Sequence, residues 1–333
     1  MIHAPYLLFL GDVDNPLDAK TATGIAHWRP EICLGQLRLP GCRADTGLAD
    51  LNPEAALRQG ARTLIVGVAP AGGQLPERWL DVLEAALAAG LDLASGLHAR
   101  LADQPRLVAV ARERGRQLLD IRHPRQAFPV GSGDPRPGKR ILTVGTDTCV
   151  GKMFAALALT REMQARGLNA TFRATGQTGI FIAGEGVCVD AVVADFIAGA
   201  IEWLCPANDP DHWDVIEGQG SLFHPGYAGV SLGLLHGAQP DWLVLCHQVG
   251  RSGLDGMAHW PVPSLEDCLA LNLQAARLTN PGVQLLGVSL NTAGLTRVHA
   301  ERELAGVSER LGVPCVDAVR TGMAALVQRL ESA

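Results

Sequence analysis

The run Ile141-Leu142-Thr143-Val144 leads directly into Gly145-Thr146-Asp147-Thr148-Cys149-Val150-Gly151-Lys152-Met153, and an Ala/Leu-rich stretch follows. A hydrophobic strand that enters a glycine-bounded loop and leaves it as a helix belongs in an α/β sheet. Successive backbone N–H groups of such a loop, with the helix N-terminus, point at an anion, and Lys152 adds a point charge. Gly145 and Gly151 remove side chains where backbone must approach a phosphate. The whole stretch from Gly145 to Met153 is therefore a candidate phosphate-binding loop. It departs from a nucleotide-hydrolysing loop in two ways. Five residues separate the two glycines instead of four, and Met153 stands where a Ser or Thr hydroxyl would hold Mg²⁺. A thioether is a poor ligand for a hard cation. The expected ligand is one whose phosphates serve as a handle, and ATP with Mg²⁺ is disfavoured.

The rest of the chain supports a parallel sheet covered on both faces, since short β-rich runs alternate with helical ones. In the first half, strands are expected at Tyr6–Leu10, Thr63–Val68 and Leu91–Ala94, with a helix over Glu77–Ala89 closed by Gly90. The segment His123–Lys139, with four prolines and three glycines, is the best linker. The expected domains are thus 1–125, a Pro/Gly-rich linker 126–139, and 140–333. Later strands are expected at Arg140–Val144, Ala170–Ala174, Asp214–Ile216, Trp242–Cys246, Gln284–Leu290 and Pro314–Asp317. Helices should start near Lys152, Val189, Ser264, Arg297 and Gly322. The helix from Val189 shows the clearest apolar stripe, at i, i+3, i+4 and onward. Glycine-rich Ser221–Asp241 is expected to be a mobile lid or an oligomer contact.

Composition excludes several classes. Of 333 residues, 28 are Lys or Arg and 34 Asp or Glu, a net charge of −6, which argues against nucleic acid or an anionic membrane surface as main partner. With 47% hydrophobic and 19% charged residues, a large core is available. No uninterrupted apolar run is long enough for a membrane span, and the N-terminus reads as a first strand rather than a signal peptide. The eight cysteines form no C-x-x-C pair, which fits a reducing compartment. A soluble cytoplasmic protein is expected. Without H-E-x-x-H or a close His/Cys set, no metal is expected. G-x-G-x-x-G is also missing, so the first half carries no dinucleotide fingerprint.

Other candidates sit where parallel strands end, which is where open α/β sheets place ligands. Glu217, in Glu217-Gly218-Gln219-Gly220-Ser221, is a candidate general base or a partner for Lys152. The stretch Arg173-Ala174-Thr175-Gly176-Gln177-Thr178-Gly179 should open on the same edge, with Gln177 and Thr178 positioning a polar substrate. His224 and His247 follow strand ends and are candidate acids or bases. Asp190 fits a dipole-complementing role at a helix start as well as a substrate contact, whereas Asp195 fits a solvated face.

Together, Ala19-Lys20-Thr21-Ala22, Trp28-Arg29-Pro30-Glu31, Ala174–Gly179, Val189–Phe196 and Glu217–Pro225 resemble the two-domain family represented by D-glutamate N-acetyltransferase. The loop more distantly resembles that of dethiobiotin synthetase. The family resemblance implies a Rossmann-like N-terminal domain before a P-loop NTPase-like domain with a mostly parallel sheet. It implies acetyl transfer from acetyl-CoA to the amine of D-glutamate, feeding a racemase that acts on N-acetyl amino acids. Coenzyme A needs no Mg²⁺-binding hydroxyl after the lysine, which suits Met153.

On this reading the loop holds coenzyme A phosphate. Glu217, or else His224 or His247, takes a proton from the substrate ammonium. Amides of a Gly-rich loop stabilise the oxyanion. The substrate-binding set is Arg173, Gly176, Gln177, Thr178, Gly179, Asp190, Gln219 and Arg251, with Arg173 or Arg251 clamping a carboxylate. No acyl-enzyme on Cys149 is required. The rivals are an ATP-dependent ligase of the dethiobiotin type and a nucleotide-binding protein without turnover. A homo-oligomer is the expected assembly.

Overall fold

The computed structural model describes residues 2–68, 75–124 and 126–332. The chain divides into two compact units, Met1–Arg125 with Gly176–Cys188, and Gln126–Thr175 with Val189–Ala333.

The first unit contains β1 (Tyr6–Gly11), α1 (Lys20–Trp28), β2 (Cys33–Arg38), α2 (Pro53–Arg58), β3 (Thr63–Val66), α3 (Glu77–Ala89), β4 (Asp92–Ser95), α4 (Pro105–Arg114) and β5 (Leu118–Asp120). Its strands form one parallel sheet in the order β2-β1-β3-β4-β5. Strand β1 lies inside that sheet and is buried along its whole length, which is why it reads as an unbroken apolar run. Gly90 ends α3 in the left-handed conformation expected of it.

The second series runs β6 (Lys139–Gly145), α5 (Lys152–Ala165), β7 (Ala170–Arg173), α6 (Gln177–Ala183), α7 (Ile197–Leu204), β8 (Trp213–Ile216), α8 (Ala228–Ala238), β9 (Trp242–Gln248), β10 (Gly253–Leu254), β11 (Met257–Pro261), α9 (Leu265–Ala276), β12 (Gln284–Asn291), α10 (Arg297–Leu311), β13 (Cys315–Val316) and α11 (Ala324–Glu331). Six of its strands make a parallel sheet, ordered β13-β12-β9-β6-β8-β7, while β10 and β11 form a separate antiparallel hairpin. Ile141, Val215, Val244 and Leu286 of that sheet pack with Ala155, Leu159 and Met163 of α5 and with Leu326 and Val327 of α11. Every strand of the six-stranded sheet therefore ends on the edge where β6 delivers the phosphate-loop sequence.

One expectation is corrected. No helix starts at Val189. Two short 3-10 turns, Val189–Ala191 and Ala194–Phe196, precede α7. Val193 has an extended backbone (φ −57°, ψ 136°) and is 66% exposed, so the apolar repeat is not one buried stripe. The adjacent β-branched pair Val192-Val193 disfavours helix. Glycine-rich Ser221–Asp241 contains α8. Its glycines permit close packing: a Cβ on Gly233 would lie 2.6 Å from Ile197 Cγ2, and one on Gly237 would lie 2.3 Å from the Ala198 carbonyl. The last helix begins at Ala324, near the expected Gly322.

The Pro/Gly-rich stretch from residue 126 lies on the second unit. Glu202 accepts from the N–H groups of Ser132 and Gly133, both at 2.8 Å, and Phe128 packs on Trp203. Gly199 gives it room, since a Cβ there would fall 1.9 Å from the Pro129 carbonyl oxygen. Gly199→Ala should therefore lower stability by about 2 kcal/mol or more, read by denaturant unfolding. Gly229→Ala, with nothing within 4 Å of the added methyl, should instead be neutral or mildly stabilising.

Candidate functional site

Strand β6 runs between β8 and β9, so Gly145, paired with Cys246, lies at the sheet edge near Glu217, which follows β8, and His247, which is the last residue but one of β9 rather than a residue after it. The loop after Gly145 folds back over this edge. Cys149 (φ 55°) and Gly151 (φ 104°) both take left-handed backbone conformations, and α5 begins at Lys152. The backbone N–H groups of Val150, Gly151, Lys152 and Met153 have no acceptor among the described residues. These are the orphan donors of a helix start, gathered beside a cation.

Lys152 is buried. Its stem passes two glycines: a Cβ on Gly145 would lie 3.3 Å from Lys152 Cδ, and one on Gly218 would lie 3.1 Å from it. Gly218 also presses on β6, with its missing Cβ 1.7 Å from the Thr143 carbonyl oxygen and its N–H donating to Thr143 Oγ1. The ammonium donates to the Asp147 carbonyl at 2.7 Å. Loss of hydration pulls the Lys152 pKa below its ordinary value, and Cys246, Cys149 and Asp147 oppose that shift.

Asp147 organises the loop. Its fully buried carboxylate accepts from Thr148 N–H (2.7 Å) on one oxygen. On the other it accepts from Arg251 Nη1 (2.5 Å) and Asp255 N–H (2.7 Å). Arg251 also donates to the Thr148 carbonyl and to Gln248. The Asp255 carboxylate accepts from Thr148 Oγ1, and its carbonyl lies 3.0 Å from His224 Nε2. His224 Nδ1 accepts from Gly226 N–H, so the Nε2–H tautomer donates to Asp255. Both nitrogens of this buried ring thus serve backbone groups.

His247 differs. Its Nδ1 lies 2.9 Å from Thr146 Oγ1, and Nε2 has no partner among the described residues. Burial first, then the positive charge of Arg251, pulls its pKa below 6.5, so the ring is neutral at pH 7. Glu217 is buried. Its Oε2 accepts from Thr175 N–H at 2.9 Å, while Thr175 Oγ1 donates to the Glu217 carbonyl and receives Gln219 Nε2 at 3.3 Å.

The loop, Thr175, Glu217, Gln219, His247 and Arg251 all belong to the second unit, which thus holds most of the candidate site. Arg173 belongs to it too, but donates to buried Asp214 at 2.6 Å. Asp190 lies exposed in a 3-10 turn. Gly176, Gln177, Thr178 and Gly179 fall in the first unit. There the Gln177 amide is satisfied by the Gly96 carbonyl and Arg122, Thr178 Oγ1 meets Thr21 Oγ1 at 3.1 Å, and Arg29 donates to the Ile182 carbonyl. Sequence reasoning missed Asp255 and Thr175. A lone Asp in a Gly-rich stretch carries no sequence signal, and nothing in the sequence separates Thr175 from its polar neighbours. No group of three or more His, Cys, Asp or Glu side chains is arranged to hold a metal among the described residues, and no helix of the described residues is long and apolar enough to cross a membrane.

Two measurements check this geometry. Asp147→Asn turns an amide N–H₂ toward the Arg251 and Asp255 donors and should cost about 3 kcal/mol of stability in denaturant. By NMR, His247 should titrate below pH 6.5, and Arg251→Gln should move its midpoint up, because a like charge is removed. Below pH 6.5 the unfolded chain protonates this histidine before the folded one does, so its contribution falls as pH falls.

Residues 129–327 match the domain described as "Domain of unknown function (DUF1611_C) P-loop domain", and residues 37–124 match "Domain of unknown function (DUF1611_N) Rossmann-like domain". Two curated relatives carry the name D-glutamate N-acetyltransferase. The protein from Tritonibacter scottomollicae is 52% identical over 330 residues, and that from Pseudoalteromonas sp is 47% identical over 329 residues, each match covering 99% of both chains. A crystal structure of a DUF1611 family protein from Anabaena variabilis superposes with a TM-score of 0.89 at 32% identity, covering 99% of this chain and 100% of that one. With both domain descriptions matched in order and full-length relatives at this identity, the chain belongs to the DUF1611 family.

Proposed function

We propose that the chain is an N-acetyltransferase that moves the acetyl group of acetyl-CoA to the amine of D-glutamate. The observation that carries this reading is the 52% and 47% identity, over essentially the whole chain, to two enzymes of that name. The loop chemistry supports the donor. Open amides at Val150–Met153 beside Lys152 suit a pyrophosphate, and Met153 offers no hydroxyl for Mg²⁺. Coenzyme A supplies an activated acetyl thioester and needs the protein only to hold and orient it.

The chain's own part is to place the amine and remove its proton. An ammonium is not a nucleophile, so an unprotonated base must accept the proton before or during attack. Among the three candidates, His247 fits best. If Nδ1–H is donated to Thr146 Oγ1, the lone pair of Nε2 is free, and the lowered pKa keeps the ring neutral at pH 7. In this scheme His224 holds Asp255 against the loop. Glu217 holds the turn at Gly218 and Gln219 through Thr175. Arg251 fixes the loop through Asp147 and keeps His247 neutral. Direct attack forms the amide N–C bond and breaks the C–S bond, coenzyme A leaves as the thiol, and no acyl-enzyme is needed. The product would suit a racemase acting on N-acetyl amino acids.

The test is release of free thiol from acetyl-CoA with D-glutamate, run beside phosphate release from ATP with Mg²⁺. Thiol release alone is expected; ATP-dependent phosphate release would favour the ligase reading, and neither would favour a protein without turnover. Lys152→Ala should raise the KM for acetyl-CoA. His247→Gln should lower kcat by roughly 10²-fold or more, with Glu217→Gln milder. A larger loss in Glu217→Gln than in His247→Gln would reverse their roles.

A further inference from the structure

A cleft of about 390 Å³ lies between α10 and the turn after β13, lined by Arg297, Ala300, Glu301, Leu304, Arg320 and Thr321. Short contacts join it to the phosphate loop. A Cβ on Gly151 would lie 4.0 Å from the Asn291 Cβ, and Asn291 ends β12. The next carbonyl, that of Thr292, accepts from Arg320 Nη2 at 3.2 Å. Arg320 also donates to the Leu295 carbonyl and so fixes the turn that leads into α10.

The charges around the cleft are placed against the interests of the helix alone. Arg297 is the first residue of α10, where the macrodipole disfavours a cation, and no acidic residue sits in that turn. Its pairing with Glu301 at i+4 runs in the less favourable order, and its side chain is 88% exposed. Helix terminus and guanidinium therefore act in the same direction and attract an anion. Arg320 adds a second guanidinium at the cleft. Buried Ala300 and Leu304 supply an apolar floor. Glu301 supplies an acceptor of the kind an exocyclic amine needs. A volume of this size is typical of pockets for ligands larger than a single amino acid.

Two guanidiniums, a carboxylate and an apolar floor, linked through Asn291 and Thr292 to the loop proposed to hold a pyrophosphate, suit the nucleotide end of coenzyme A. We infer that this cleft receives the 3′-phosphoadenosine moiety, and that Arg297 reads the 3′-phosphate. The inference rests on the acetyl-CoA reading above. The pyrophosphate is gripped by the loop, and the adenosine extends past Asn291 toward α10.

Calorimetric titration of the full chain with coenzyme A and with 3′-dephospho-coenzyme A tests it. The wild type should bind coenzyme A about tenfold or more tightly over the dephospho form, in keeping with a charge-assisted contact. Arg297→Ala should bring that ratio close to one, and Arg297→Lys should restore part of it. Because Arg297 is exposed, folding of these variants is not at issue. A ratio in Arg297→Ala equal to that of the wild type overturns the inference while leaving the acetyl-CoA reading intact. A wild type that binds neither ligand overturns both.

Discussion

A carboxylate removed from water needs donors close at hand, and breaking up a buried charge pair costs several kcal/mol. Asp147 meets that need inside the phosphate loop, accepting from Thr148, Arg251 and Asp255, while its own carbonyl accepts from Lys152. One residue therefore sets the loop backbone, the position of its cation and the course of the segment that carries Arg251 and Asp255. The turn that leads into the open amides at the start of α5 cannot relax without stranding that carboxylate. His247 depends on the same arrangement, since Arg251, held by Asp147, is one of the two causes that keep its ring neutral.

The sheet supplies a second constraint that acts through the absence of side chains. Gly145 ends β6 and Gly218 follows β8, and the Lys152 stem passes both within van der Waals distance of where their methyl groups would be. Any larger residue at 218 would drive into the Thr143 carbonyl before it met the lysine. Burying Lys152 weakens its hold on a proton, yet its ammonium stays hydrogen-bonded to the loop that it serves. The cation is thereby presented in one orientation, with little side-chain entropy left to lose when an anion binds.

Features confined to a short stretch of chain were legible from the sequence. The strand, loop and helix around Lys152, the helix Glu77–Ala89 with its Gly90 cap and the strand at Gln284 follow from local pattern and from backbone requirements of glycine. Features that depend on distant partners were not. The Asp147–Arg251 pair joins residues 104 positions apart, and nothing near Arg251 distinguishes a loop anchor from a substrate clamp. Glycines in α8 resemble loop punctuation until Ile197 and Ala198 are seen pressed against them. Val189–Phe196 has helical periodicity, but an extended Val193 interrupts it where packing offers that side chain no cover. Gln177 and Thr178 lie next to Thr175 in sequence, yet they answer to Gly96, Arg122 and Thr21 of the other unit, where their polar groups are satisfied.

The proposed chemistry would also account for binding groups placed far from the reacting atoms. Proton removal by one neutral imidazole is a modest catalytic device, and an amine attacking a thioester gains most from being held in line with it. Binding energy gathered at remote parts of a substrate can be used for that alignment, so long as the groups collecting it are rigid. The phosphate loop meets this condition through Asp147. The α10 cleft meets it through Arg320, which ties the β12–α10 turn in place. A donor anchored at its phosphates and its nucleoside would leave only the flexible arm that carries the thioester to be positioned. Met153 fits the same logic. Its thioether offers little to a hard cation, so in the proposed scheme the contacts that orient the phosphates fall to the loop's amides, Lys152 and an exposed arginine.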